Sequence, residues 1–249
     1  LDLLSNGRFD FGVGKGYRPN EFAGFCIGME EATERFDEAL EIIRKAWTTA
    51  GRFSHHGKRW HFEDIVVEPR PLQRPHPPFW MGAGSTESIR RAAREGYNLL
   101  LDQIGSIELT IDRVATYRNE RARLGRPYDP AQIAVTRALH IVTTQEEREQ
   151  AYALRAQVLR TIGGLARGPG AERYHNPSSF ADTNLANEDA ALIGTPAEIV
   201  ARLRRLEAGG VDTVLLIDVT GSQHALRVFA AEVFPEFANG GRRHSAKGG

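Results

Sequence analysis

The sequence predicts an α/β fold in which parallel strands are covered by helices. Three observations carry that prediction. Apolar runs of strand length alternate with amphipathic stretches of helix length along the whole chain. Two strand runs end in glycine clusters, Gly12-Val13-Gly14-Lys15-Gly16 and Gly82-Ala83-Gly84, where α/β folds place their ligands. No stretch between elements has the length or composition of a linker between domains.

Each element follows from local signals. Leu1–Leu4 with Ser5-Asn6-Gly7 reads as the tail of a helix and its stop. Phe9–Val13 is a short apolar strand. Glu30–Trp47 places Phe36, Ala39, Leu40, Ile43 and Trp47 at helical spacing. Phe53–Val67 is irregular and has room for a small hairpin. The prolines at 69, 71, 75, 77 and 78 forbid regular helix in the connector that follows.

Phe79–Ala83 predicts a strand and Ser85–Glu95 a helix. Asn98–Gln103 predicts a strand, and Ile107–Leu124 a helix. Ile133–Thr143 is a third such strand, followed by a helix over Gln145–Thr161 with acidic residues in its first turn. Gly163 to Asn187 reads as a long polar loop. Thr195, Pro196 and Glu198 form the start signal of a helix running to Ala208. Val211–Val219 is the last strand and Ser222–Phe234 the last helix. Residues 240–249 read as a disordered tail. The architectures open to such a chain are a doubly wound sheet and a (β/α)8 barrel. The barrel needs three more units, roughly 100 residues.

Composition narrows the function classes. The 249 residues carry 32 Lys+Arg against 32 Asp+Glu, so the net charge is zero and offers no general attraction to nucleic acid or an anionic membrane. A single cysteine, Cys26, rules out an internal disulfide and a thiolate zinc cluster. No apolar run reaches the 18 or so residues of a membrane helix. The first residue is Leu1 and the first methionine Met29, so the chain is expected to be a fragment or to have lost its front.

Glycines at the end of the first strand let backbone approach a ligand, and Lys15 adds a positive charge. The spacing G-x-G-x-G with Pro19 close behind is not a dinucleotide fingerprint. The alternative is a tight turn with an exposed lysine. Gly84, Ser85 and Ser88 open a helix with hydroxyls and free N–H groups, which suits an anion; a plain N-cap by Ser85 explains one hydroxyl only. Glu87 is expected to point away. His55, His56 and His61 read as exposed loop histidines, without metal-ligand spacing. Arg137 interrupts an apolar strand and either lines a pocket or marks an edge. Asp102, Gln103 and Asp218 end strands, at positions that face the rim of a barrel. No general base stands out.

The run Gly7–Tyr17 with Glu21-Phe22 and Phe25-Cys26-Ile27, the segments Pro69–Gln73 and Pro77–Gly82, and Gly194-Thr195-Pro196 with Gly210-Val211-Asp212 together resemble the bacterial luciferase-like flavin monooxygenases. The resemblance runs in order from Leu1 to Phe237. It implies a single TIM-like barrel domain over residues 1–239 with about five of eight strands, lacking the first three β/α units. It implies reduced FMN, delivered by a separate flavin reductase, or a deazaflavin in some relatives. It further implies a cytoplasmic homodimer that turns over a small organic substrate with O2.

By position, Lys15 matches the basic residue that meets the flavin phosphate, where arginine is commoner, and Tyr17 a backbone contact in the same loop. Gly84, Ser85 and Ser88 match the phosphate-holding segment, and Gln103 a position near the isoalloxazine. The loop Gly163–Asn187 matches a mobile lid. A non-catalytic flavin-binding or oligomerisation remnant is the reading from outside enzymology.

Overall fold

The computed structural model describes residues 1–165, 189–218 and 223–238, which fall into two compact units. The loop expected over 163–187 lies outside these residues but for its first three positions, and the tail 240–249 lies outside them altogether.

The first unit comprises residues 1–100 and, of the described residues, also 161–165. It opens with a hydrogen-bonded turn. Asn6 donates its N–H to the Leu3 carbonyl (3.1 Å) and Gly7 to that of Asp2 (2.9 Å), with Asn6 at φ 54° and Gly7 at φ 74°. These bonds are those of a helix stop with a left-handed residue. The Asp2 carboxylate accepts from the N–H groups of Leu72 (2.6 Å) and Gln73 (3.0 Å), tying this turn to the proline connector.

Strands β1 (Phe11–Val13), β4 (Phe79–Gly82) and β5 (Asn98–Leu101) run parallel, with Phe11 opposite Phe79 and Trp80 opposite Asn98. Between β1 and β4 lie α1 (Pro19–Gly24), α2 (Ala32–Thr48) and an antiparallel hairpin of β2 (Phe53–His56) with β3 (His61–Ile65). Helix α3 (Thr86–Glu95) follows β4. The apolar face of the unit is aromatic: Phe11, Trp47 and Phe79 stack edge-on or tilted at 4.9–5.6 Å, and Tyr97 joins Phe79 at 5.5 Å. Ile89, Ala92 and Ala93 bury the inner side of α3.

The sequence did not announce α1, although Pro19 at its first position is a start signal. His55 needs correction. It is buried, and its imidazole Nε2 lies 3.2 Å from Glu38, which also accepts the backbone N–H groups of Arg59 and Trp60. The hairpin packs on α2 and so encloses one of the three histidines. His56 and His61 are exposed.

The second unit contains residues 101–160 and the described residues after 188. It holds α4 (Ile107–Arg123), β6 (Ile133–Ile141), α5 (Gln145–Leu165) as far as Arg160, β7 (Leu192–Gly194), α6 (Pro196–Ala208), β8 (Thr213–Asp218), α7 (Gln223–Val228), a π-helical turn over Phe229–Val233 and α8 (Pro235–Ala238). Strand β6 pairs in parallel with both β7 (Leu139 opposite Leu192) and β8 (Ala134 opposite Thr213). Ala138, Val142, Ala151, Ala191 and Ile193 form one buried cluster between strands and α5.

Strand β7 is a sixth parallel strand that the sequence reading passed over. At three residues, all buried, it is too short to show a period. The N-terminus of α6 forms as its residues predict: Thr195 accepts from the Glu198 N–H, and the Glu198 carboxylate accepts from the Thr195 N–H (2.7 Å).

Candidate functional site

In the first unit, Val13 sits opposite Met81, so β1 and β4 deliver both glycine clusters to one end. The backbone there is bare. A side chain built on Gly12 or Gly14 would meet nothing within 4 Å, and one on Gly82 only the Val13 carbonyl at 4.0 Å. Gly16, at φ 82°, turns the chain in a conformation that other residues adopt with strain.

Lys15 is exposed, and its Nζ donates to Thr33 Oγ1 (3.1 Å) at the start of α2. Tyr17 is exposed too, with the Arg18 guanidinium 5.4 Å from its ring centroid. Arg18 itself pairs with Glu21 (3.0 Å).

At the other cluster Ser85 caps α3. Its Oγ accepts from the Ser88 N–H (3.3 Å), and the two hydroxyls lie 2.9 Å apart. Ser88 Oγ also donates to the Ser85 carbonyl (2.9 Å). One hydroxyl therefore serves as cap and the second leans on it. The N–H groups of Thr86 and Glu87, in the first helical turn, have no acceptor within the helix and sit at its positive end. Glu87 is exposed and pairs with Arg94, two turns along the helix. The structure thus brings Lys15, Tyr17, Gly84, Ser85 and Ser88 to the ends of two neighbouring strands.

Gln103 belongs to the second unit, in the turn after β5. Asp102 shapes that turn by accepting the N–H groups of Ile104 (2.8 Å) and Gly105 (3.0 Å). Burial pushes the Asp102 carboxyl up, but Arg113 (3.0 Å) and these N–H groups outweigh it and hold the pKa below the ordinary value.

Arg137 is fully buried. It donates to the carbonyls of Asp102 (2.8 Å), Thr136 (3.0 Å) and Gly105 (3.1 Å) and to Thr110 Oγ1 (2.6 Å). Burial lowers its pKa to about 10. Its role is a clamp on the Asp102–Gly105 turn, on a strand with neighbours on both sides. Arg155, from α5, donates to the Gln103 carbonyl (2.7 Å).

Arg155 and His140 are among the buried polar residues of this unit that the sequence did not single out. A signal for the first existed. Ala151, Arg155 and Leu159 recur every four residues, which sets an arginine on the buried stripe of α5. Among the described residues no group of three or more His, Cys, Asp or Glu is placed to hold a metal, and no helix is long and apolar enough to cross a membrane.

A family model described as luciferase-like monooxygenase matches residues 1–213. The oxygenase component of the flavin-dependent trigonelline monooxygenase of Acinetobacter baylyi is 25% identical over 98% of the chain and 72% of its own length. An FMNH2-dependent dimethylsulfone monooxygenase of Pseudomonas putida is 28% identical over 86% of the chain, which spans only 62% of that protein. Among solved structures, monooxygenase RslO1 from Streptomyces bottropensis superposes with a TM-score of 0.74 at 26% identity, covering 95% of this chain and 71% of that one. An F420-dependent secondary alcohol dehydrogenase shares the fold, with a TM-score of 0.69 at 14% identity over 94% of this chain and 71% of that one. The fold class is therefore α/β of the luciferase-like barrel type, of which the chain carries a part.

Proposed function

The chain belongs to the luciferase-like monooxygenase family, and on that premise we propose that it binds reduced FMN and oxygenates a small organic substrate. The observation that carries this reading is the placement of Lys15 and of the hydroxyl-rich start of α3 at the same end of two adjacent strands. The residues fit the phosphate of FMN. They comprise a flexible ammonium, exposed first-turn N–H groups, two hydroxyls and glycine backbone open to close approach.

When bound, the reduced flavin supplies two electrons to O2, so that one oxygen atom enters the substrate and the other leaves as water. The chain's own residues do the rest. Lys15 releases Thr33 and supplies charge as a single point, without the fork of an arginine. Ser88 can turn its hydroxyl from the Ser85 carbonyl to the phosphate while the N-cap by Ser85 persists. The backbone of Tyr17 contributes a further donor. The relative named as an oxygenase component and the one named as FMNH2-dependent support a separate reductase as the source of reduced FMN. A homodimer is part of the same proposal.

Equilibrium titration of the chain with FMN and with riboflavin tests the phosphate site. Lys15→Ala weakens FMN by roughly tenfold and leaves riboflavin unchanged, as expected for a charge-assisted contact to a group that only FMN carries. Equal losses for both ligands would remove Lys15 from that site. The fold-level likeness to an F420-dependent enzyme supports a second reading, hydride transfer with a deazaflavin. Turnover that needs no oxygen would decide for it.

A further inference from the structure

We propose that Arg155 is the anchor of an oxyanion subsite in the second unit, which takes the carboxylate of a small organic substrate. The proposal deepens the oxygenase reading by naming a substrate class, and it rests on that reading.

Arg155 is 3% exposed. Among the described residues one hydrogen bond holds it, from Nη2 to the Gln103 carbonyl, and its buried Nε–H has no acceptor there. Among the described residues no carboxylate lies within ion-pair distance of it. Arg137 feels its positive charge, and the group that favours the charge on Arg155 against burial is the Tyr152 phenol rather than a carboxylate. Burying a guanidinium without a counter-charge is unfavourable, and an anion relieves it.

Holding the Gln103 turn does not explain this arginine. Arg137 already bonds the Asp102 and Gly105 carbonyls, and Asp102 binds the Ile104 and Gly105 N–H groups. A fifth contact to the same turn needs one donor and no buried charge.

His140 adds a second polar group. It is 5% exposed, and its Nε2 is buried without a hydrogen-bond partner. It feels the charges of both Asp218 and Arg155, and burial keeps the imidazole below its ordinary pKa. An imidazole kept neutral within the field of that guanidinium offers an N–H, and the guanidinium a positive charge, to an oxyanion. A planar carboxylate matches the guanidinium fork.

Calorimetric titration of the full chain with benzoate, and with benzamide as its neutral isostere, tests the proposal. Benzoate binds and benzamide does not, and Arg155→Met weakens benzoate by about tenfold or more, the loss expected of a charge-assisted pair. Equal binding of benzoate and benzamide to the unaltered chain would overturn the inference without any variant. So would an undiminished benzoate affinity in Arg155→Met, or in Arg155→Gln should the methionine variant lose its far-ultraviolet ellipticity. FMN is titrated in parallel. A variant that loses FMN but not benzoate assigns Arg155 to the flavin and overturns the subsite. An unaltered chain that binds benzoate selectively but no FMN refutes the flavin reading and leaves the subsite standing.

Discussion

Arg137 shows how one side chain can organise a turn. Its guanidinium meets three carbonyls and a hydroxyl, and no carboxylate, so its stabilising effect comes from donors in a fixed fork. Arg137→Met keeps much of the volume and leaves the buried carbonyls without donors. We expect a loss of about 3 kcal/mol or more in urea unfolding, since each unsatisfied buried acceptor costs about 1–3 kcal/mol. Arg137→Lys recovers only part, because one ammonium cannot span Asp102, Gly105 and Thr110. A variant as stable as the parent would mean that water replaces the guanidinium. Arg137 stood out in the sequence as a charge in an apolar strand, but its partners did not. They lie 27 to 35 residues away, with only the Thr136 carbonyl next to it in the chain. Lys15 was legible for the opposite reason. Its setting is the glycine cluster around it, whereas its partner Thr33 comes from a different element.

Helix starts carry local signals, and α6 tests how much one of them contributes. Thr195→Ala removes the cap acceptor and is expected to lower stability by about 1 kcal/mol in chemical denaturation. The reciprocal partner supplies a pH dependence. Arg148 and the Thr195 N–H hold the Glu198 carboxyl at about 2, below its ordinary 4.5. A carboxylate with a depressed pKa stabilises the fold above the ordinary value, and the effect is lost as pH falls through about 2. Stability therefore declines between these two values in the parent chain. It declines less in Glu198→Gln, which cannot titrate. The carboxylate is about half exposed, so solvent screens the step and keeps it modest. A parallel decline in both proteins would place the effect elsewhere. Capped helices and nine-residue β6 were readable because their signals are contained within a few residues. Strand β7 was not, being three buried residues whose strand character exists only through pairing with Leu139–Ile141. The hairpin was foreseen, but the burial of His55 was not, because Glu38 comes from α2.

At the scale of the molecule, the fold class was legible because the order of motifs along the chain is itself the topology of repeated β/α units. The proposed oxyanion subsite was less so, since Arg155 and His140 acquire meaning only through what surrounds them. Charge is the other property read at this scale. Thirty-two cations against thirty-two anions leave no net field to draw FMN in, so its attraction has to be local. That has a measurable consequence. A protein with a broadly basic surface loses affinity steeply with salt, because many charges are screened together. Here Lys15 supplies the exposed cation at the proposed phosphate site, beside first-turn N–H dipoles that salt screens over one turn only. Raising sodium chloride from about 0.02 to 0.5 M shortens the screening length from roughly 20 to 4 Å and should weaken FMN by no more than about tenfold. Riboflavin, without the phosphate, should show no such trend. Lys15→Ala should bind FMN more weakly at low salt and with an almost flat salt dependence, so that the curves of the two proteins converge at high salt. If the variant keeps the full dependence, the phosphate is held by another cation, and Arg18 on the same loop is the first to replace.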